Sequence, residues 1–262
     1  MASIRSDPGR LWRITLSRSE ARNAVSEAML SELAAALGDA AADPAGRVVL
    51  LGGEGDHFCA GADLGEIGDA AGAVGFAYGR VLEEVLSAIA EHPLPVVAAV
   101  GGAALGAGCQ LVTACDLAVA AADARIGIPS ARLGIVIAYE SIERLVLAVG
   151  PRRAADLLLT GREVSGEEAA TWGLVTECVA PGRVAERAEE VAEAIASAAP
   201  LSVGGSKRGI RAVLRKLSID RETEGYRVTE FDMMAADALS SEDLREGLRA
   251  RRDRRPPEFR GA

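Results

Sequence analysis

In the stretch LWRITLS, Trp12, Ile14 and Leu16 alternate with Arg13 and Thr15, the period-two pattern of a half-buried strand. Ser26 then precedes EAMLSELAAALGDAA, where Met29, Leu33 and Leu37 recur at helical spacing, so Ser26 is the expected N-cap. RVVLLGG is short and apolar throughout, as a strand is when its sheet is covered on both faces. A Gly-rich loop, GGEGDHFCAGADLGEI, leads into helical YGRVLEEVLSAIAEH and the strand LPVVAAVGG. A helix within AALGAGCQLVTA, the strand DLAVAAA and the loop DARIGIPSARLGI follow. This alternation predicts an α/β fold with parallel strands joined by crossovers.

Beyond Val179 the pattern turns helical, through RVAERAEEVAEAIASAA, SKRGIRAVLRKL, RETEGYRVTEFDMMAADAL and SEDLREGLRARRDRR. A boundary of organisation is therefore expected near Pro181, between an α/β core over 1–180 and a helical region over 181–262. The helical region is expected to pack on the core or on another subunit. From His92 to Cys115 there is no Asp, Glu, Lys or Arg, a run long enough to suggest a membrane span. Its prolines, repeated Gly and central Gln110 predict instead a buried strand, a turn and a buried helix, with no membrane insertion. MASIRSDPGR lacks the apolar core of a secretory signal.

Composition narrows the function. Hydrophobic residues make up 49% of the chain and aromatics only 3%, so a large core must be packed mainly with Ala, Val, Leu and Ile. A net charge of −9 argues against nucleic acid and anionic membranes, which require a basic face, and favours a soluble cytosolic protein. An anionic small ligand remains compatible if local Arg residues or a helix N-terminus hold it. The four Cys show no CxxC pair, and with two His in the chain no metal site is expected. Buried thiols in a reducing compartment are the simpler reading.

Gly-rich loops first suggest nucleotide phosphates, but no GxGxxG runs through 52–61 or 101–108 and no GxxxxGK[ST] occurs. What occurs is two loops, HFCAGADL and AALGAGCQL, each following an apolar strand. Their small residues let backbone N–H groups approach a ligand closely. Two such amides converging on one carbonyl oxygen form an oxyanion hole, and the second, at a helix N-terminus, gains from the helix dipole.

RNAV, FCAGADL, PVVAAVGGAALGAGCQL, CDLAVAAADARIGIPSARLGI, RLVLAVGPRRAADLLLTGREVSGEEAATWGLV and the tail SEDLREGLRARRDRRPPEF occur in this order. In this respect the chain resembles, over nearly its full length, the enoyl-CoA hydratase/isomerase (crotonase) superfamily. The resemblance implies a crotonase-like spiral of ββα units with a helical C-terminal trimerisation region, as a homotrimer or dimer of trimers. It implies an acyl-CoA or enoyl-CoA thioester as ligand or substrate, with no metal or redox cofactor. Carried over by position, the oxyanion-hole amides fall at Ala60 and Ala107. Ala62, Asp63 and Leu64 fall along the adenine and pantetheine, and Arg22 and Ala24 near the CoA phosphates. Phe231, Phe259 and the Arg run before it match the C-terminal segment that helps hold the nucleotide. Residues 66–80 are expected to shape the acyl side.

The chain also departs from the family. Its hydratases move protons with two Glu side chains, whose positions here hold Gln110 and Ser130. A carboxamide does not titrate near neutral pH, and a lone Ser hydroxyl is a poor acid. General acid–base groups are typically worth ~10²–10⁴ each, so little hydration is expected. Ile137 and Ala138 stand where related enzymes carry an Asp. Glu140, beside Tyr139, either reaches the acyl pocket or complements the start of the helix SIERLVLAVG, and helix-start preferences favour the second. Tyr139 is expected as a pocket wall, His57 as a surface-loop residue, His92 as a loop residue, Cys109 as a buried thiol and Asp116 as structural. In carrying Gln within GAGxQL and lacking both Glu, the chain is most similar to a mycobacterial acyl-CoA-binding type. The expected function is acyl-CoA binding in fatty-acid metabolism, with a hydratase or isomerase using Glu140 as the alternative.

Overall fold

The computed structural model describes residues 3–67, 73–217, 231 and 233–261. The sequence expectations for 218–230, for 232 and for the acyl-side stretch 68–72 lie outside the described residues. A six-stranded sheet runs in the order β1 (Ile4–Asp7), β2 (Leu11–Leu16), β3 (Val48–Gly53), β4 (Val96–Val100), β6 (Leu117–Ala121), β9 (Glu177–Val179). Apart from the β1–β2 hairpin every pairing in it is parallel. A second sheet of β5 (Ala103–Leu105), β7 (Arg125–Gly127) and β8 (Glu163–Ser165) lies beside it, with β7 and β8 antiparallel. Cys59 extends this small sheet through a bridge to Ala104. Thus β4 and β5, then β6 and β7, each place one strand in the large sheet and the next in the small one. The sequence pattern reveals the large strands, but the three-residue strands are too short to show a period.

Both faces of the large sheet are covered. In β3, Val49 and Leu51 join the main core, whereas Val48 belongs to a second cluster on the opposite face. The main core is filled by α1 (Glu27–Ala42), α3 (Ala73–Ala90) and α4 (Ala107–Ala114). Ser26 caps α1 by accepting from the Met29 amide at 3.1 Å. On the other face, Ala188, Ala192 and Ala196 of α8 (Val184–Ser197) meet Leu11, Val48, Val97 and Val119. Alanines four apart let the helix lie close to the sheet. The helical region that begins after Pro181 therefore opens with an element packed on the sheet.

The next helix, α9 (Pro200–Leu217), is held by charge rather than by an apolar stripe. Its buried Lys207 donates to Asp116 Oδ2 at 2.6 Å and to the Leu94 carbonyl at 3.0 Å. Asp116 also accepts from the Val96 amide, which gives it a structural place between β4 and β6. Leu201, Ile210, Val213 and Leu217 of α9 are exposed.

The turn before α1 carries the most demanding backbone. Arg22 and Asn23 both adopt left-handed conformations, with φ of 52° and 55°. Such conformations cost non-Gly residues energy, least for Asn. Asn23 is fully buried, accepts from the Arg18 amide at 2.9 Å and donates to the Glu54 and His57 carbonyls at 3.0 and 2.7 Å. One side chain so ties the turn to the loop after β3. Asn23→Ala leaves these buried groups unpaired, and urea unfolding is expected to show a loss of about 3 kcal/mol with an unchanged m-value.

Candidate active site

The loop after β3 and the loop before α4 lie in backbone contact. A Cβ on Gly108 would stand 2.3 Å from the Cys59 carbonyl oxygen, and one on Gly61 3.1 Å from that of Leu105. Gly61 also has φ of 112°, a conformation available to glycine. Between these glycines the chains are stitched as in a sheet, with Cys59 N–H to Ala103 O at 2.9 Å and Leu105 N–H to Cys59 O at 3.0 Å.

Counting donors corrects one expectation. The Ala60 amide donates to the Arg22 carbonyl at 3.0 Å, so it is not available to a ligand. Beyond it, the Gly61 and Ala62 amides have no acceptor among the described residues, and both residues line the cavity. The Ala107 amide, at the first position of α4, likewise has no acceptor among the described residues. Gly61 and Gly106, which immediately precede these two alanines, are themselves in contact: a Cβ on Gly106 would lie 3.8 Å from Gly61 Cα. The amide pair at this contact is therefore Ala62 and Ala107, and the second also faces out along the helix dipole.

Both alanines line a cavity of about 500 Å³. Gln110, one turn into α4 and only 6% exposed, lines it too, and its carboxamide has no hydrogen-bond partner among the described residues. Ser130, in the 3-10 turn Pro129–Leu133, is part of the same wall. The two residues expected at the positions of the family's Glu side chains are thus brought together by the fold, and both are neutral. Among the other expected residues, Arg22 and Leu64 also line the cavity.

Several expected residues stand off the wall. Asp63 pairs with Arg18 at 2.9 Å and accepts from the Gly65 amide, anchoring the chain beside Ala62. The Ala24 carbonyl accepts from the same Arg18. Phe231 meets Tyr139 edge to face with centroids 5.8 Å apart, and neither ring lines the cavity. The pocket-wall expectation for Tyr139 is corrected accordingly, because its ring is taken up by this aromatic contact. Phe259 is partly exposed and also lies off the wall. Glu140 occupies the first turn of α5 (Tyr139–Val149), where negative charge is favoured, and does not line the cavity.

Other residues enter that sequence reasoning passed over. His57 is a wall residue, not a free surface His: its Nδ1 accepts from the Ala103 amide at 3.1 Å. That bond leaves the proton of the neutral ring on Nε2. Glu83 of α3 is another acidic residue of the wall. Arg125, Arg132, Arg251 and Arg255 join Arg22 to give five guanidinium groups on the lining of an acidic protein. Arg255 is held by Glu246 of the C-terminal helix Glu242–Arg252, whose carboxyl it pulls down to about 2. His92 is buried outside the cavity between the Leu37 and Leu94 carbonyls, and desolvation lowers its pKa. Burial pushes the Cys59 and Cys109 thiols up to about 12, so neither is a nucleophile near neutral pH.

The amide pair depends on the approach of α4 to Cys59. Gly108→Ala is expected to push the helix N-terminus away, costing about 1–3 kcal/mol of stability. It is also expected to abolish the rise in melting temperature that a thioester ligand produces in the parent protein, read by thermal shift.

A family model described as enoyl-CoA hydratase/isomerase matches residues 8–262. The chain is 37% identical over 249 residues to a probable enoyl-CoA hydratase of Mycobacterium tuberculosis, covering 95% of each protein. It is 32% identical over 257 residues to the 2,3-dehydroadipyl-CoA hydratase of Escherichia coli, covering 96% of each. The crystal structure of an enoyl-CoA hydratase/isomerase from Pseudoalteromonas atlantica superposes with a TM-score of 0.83 at 32% identity, covering 98% of this chain and all of the other. Its two-sheet architecture is crotonase-like, and the chain belongs to the enoyl-CoA hydratase/isomerase superfamily.

Proposed function

We propose that the protein binds acyl-CoA thioesters and has little or no hydratase activity. The observation that carries this reading is Gln110, buried in the cavity wall one turn from the Ala107 amide. The Ala62 and Ala107 amides donate to the thioester oxygen, and Gln110 and Ser130 face the first carbons of the acyl chain. The Gln110 carboxamide, with no partner among the described residues, is open to a hydrogen bond from a ligand or solvent in the cavity. It does not titrate. His57 offers no substitute base, since its unprotonated nitrogen is engaged by Ala103. Backbone amides stabilise a bound thioester as well as a transition state, so the pair serves binding without turnover.

The rest of the cavity suits the same ligand. The guanidinium groups of Arg22, Arg125, Arg132, Arg251 and Arg255 suit CoA phosphates, as planar donors of fixed charge. Tyr78, Leu82, Ile135, Val136, Ile137 and Ala138 offer an apolar wall to the acyl chain. We place the protein with the mycobacterial acyl-CoA-binding type and in cytoplasmic fatty-acid metabolism, as a homotrimer or dimer of trimers. Ile210, Val213 and Leu217, exposed on one side of α9, support burial of that face against another subunit.

The second reading, an enoyl-CoA hydratase or isomerase with a displaced proton carrier, draws on the names of the relatives in Mycobacterium tuberculosis and Escherichia coli. It needs a carboxylate at the reacting carbons, and Glu140 stands off the cavity wall. Calorimetry with saturated acyl-CoA beside hydration assays with crotonyl-CoA and long-chain enoyl-CoA separates the two. Tight binding without turnover is expected, whereas turnover abolished by Glu140→Ala at unchanged affinity would overturn the binding-protein reading. If missing carboxylates are the cause, the double substitution Gln110→Glu with Ser130→Glu is expected to raise crotonyl-CoA hydration at least ~10²-fold over the parent.

A further inference from the structure

The Ala62 amide is aimed by a chain of hydrogen bonds that begins at a charged side chain. Arg18 stands at the start of the left-handed turn, partly buried and outside the cavity lining. Its Nη1 donates to the Ala24 carbonyl at 3.1 Å. The N–H of that same peptide group, on Val25, donates to the Gly61 carbonyl at 2.9 Å. The N–H of the next peptide group in the series is that of Ala62. In a trans peptide the C=O and N–H point in opposite directions, and the described residues contain no cis peptide. Each bond therefore fixes where the following N–H is directed. With the Gly61 carbonyl turned toward Val25, the Ala62 N–H points away from the turn.

The second arm of the guanidinium holds the far side. Nη2 pairs with Asp63 Oδ2 at 2.9 Å, and the Asp63 amide donates to the Val25 carbonyl at 2.9 Å. Ala62 is thus the residue bridged to Val25, and Arg18 grips the chain next to both partners of that bridge. The Gly61 amide, though free, lacks such a relay. No donor among the described residues reaches the Ala60 carbonyl behind it. Hydrogen bonds from an ionised donor are stronger than neutral ones, and bonds in series polarise one another. A relay headed by a guanidinium therefore makes the Ala62 N–H a stronger donor as well as a directed one.

We infer that Arg18 is a positioning residue for thioester recognition, aiming and strengthening the Ala62 donor through two peptide groups without touching the ligand. This inference rests on the acyl-CoA reading of the cavity. An arginine with a purely structural role would, once removed, weaken every ligand of the cavity alike. Arg18 acts on the one ligand atom the relay addresses, the thioester oxygen.

The test uses two ligands that differ only there: octanoyl-CoA and S-octyl-CoA, a thioether with a methylene in place of the carbonyl. Calorimetric titration of the full chain is expected to show the thioester bound about 10-fold or more tightly than the thioether. Arg18→Met is expected to narrow that preference about threefold or more, with thioether affinity within about twofold of the parent. Equal losses for the two ligands, or an unchanged preference, overturn the assignment. A parent protein that binds both ligands equally overturns it too. Should Arg18→Met fail to fold, Arg18→Lys takes its place, because an ammonium lacks the planar fork that serves both acceptors. An unchanged preference in that variant is equally fatal. If neither ligand binds the parent, the acyl-CoA reading itself has failed, a result separate from any change in preference.

Discussion

The close approach of α4 to the loop after β3 is the constraint on which the site depends. With the Gly108 Cβ position only 2.3 Å from the Cys59 carbonyl oxygen, any side chain there drives helix and loop apart. With glycine in place, Cys59 and Ala60 spend their amides on Ala103 and Arg22, and the free donors that follow in the loop are Gly61 and Ala62. The first amide of α4 then opens onto the same cavity. The Ala62 and Ala107 donors are thus positioned by backbone hydrogen bonds on either side of them, which is the preorganisation that an oxyanion requires. Asn23 extends the same logic outward, since its fully hydrogen-bonded side chain holds the turn that supplies the Arg22 carbonyl.

Charge divides the cavity into regions. Five Arg residues line it, with Arg125 paired to Glu163 and Arg255 to Glu246, although the chain as a whole carries a net charge of −9. The amide pair is uncharged and flanked by the neutral Gln110 and Ser130. Glu83 is a charged group fixed by Arg144 rather than left to solvent. A site built for proton transfer would put a titratable group beside the amides. Here the lining carboxylates, Glu83 and Glu163, are each committed to an ion pair.

Much of this architecture was legible in the sequence, because it rests on periodicity. Alternation in LWRITLS, the apolar run RVVLLGG and the Ser26 cap correspond to real elements. Gln110 and Ser130 were locatable because they sit in ordered motifs, and both line the cavity. The choice of amide was not legible. HFCAGADL offers several small residues in succession, and the hydrogen bond that takes up the Ala60 amide runs to Arg22, across a turn of left-handed residues. Glu83 was hidden for a different reason: in YGRVLEEVLSAIAEH it reads as one of two solvated acids, and its partners Ser141 and Arg144 lie 58 and 61 residues away. His57 was misread for the same cause, since its bond to Ala103 spans 46 residues.

The central claim is an amide pair that polarises a thioester with no group beside it to move a proton. One NMR spectrum tests both halves: an acyl-CoA labelled with ¹³C at the carbonyl and the adjacent carbon, bound to the protein in D₂O. A downfield shift of the carbonyl carbon is expected on binding, with protons retained at the neighbouring carbon over hours. Deuterium entering at that carbon would reveal a proton carrier beside the amides, and an unshifted carbonyl would mean that Ala62 and Ala107 do not hold it. Either result would contradict the account.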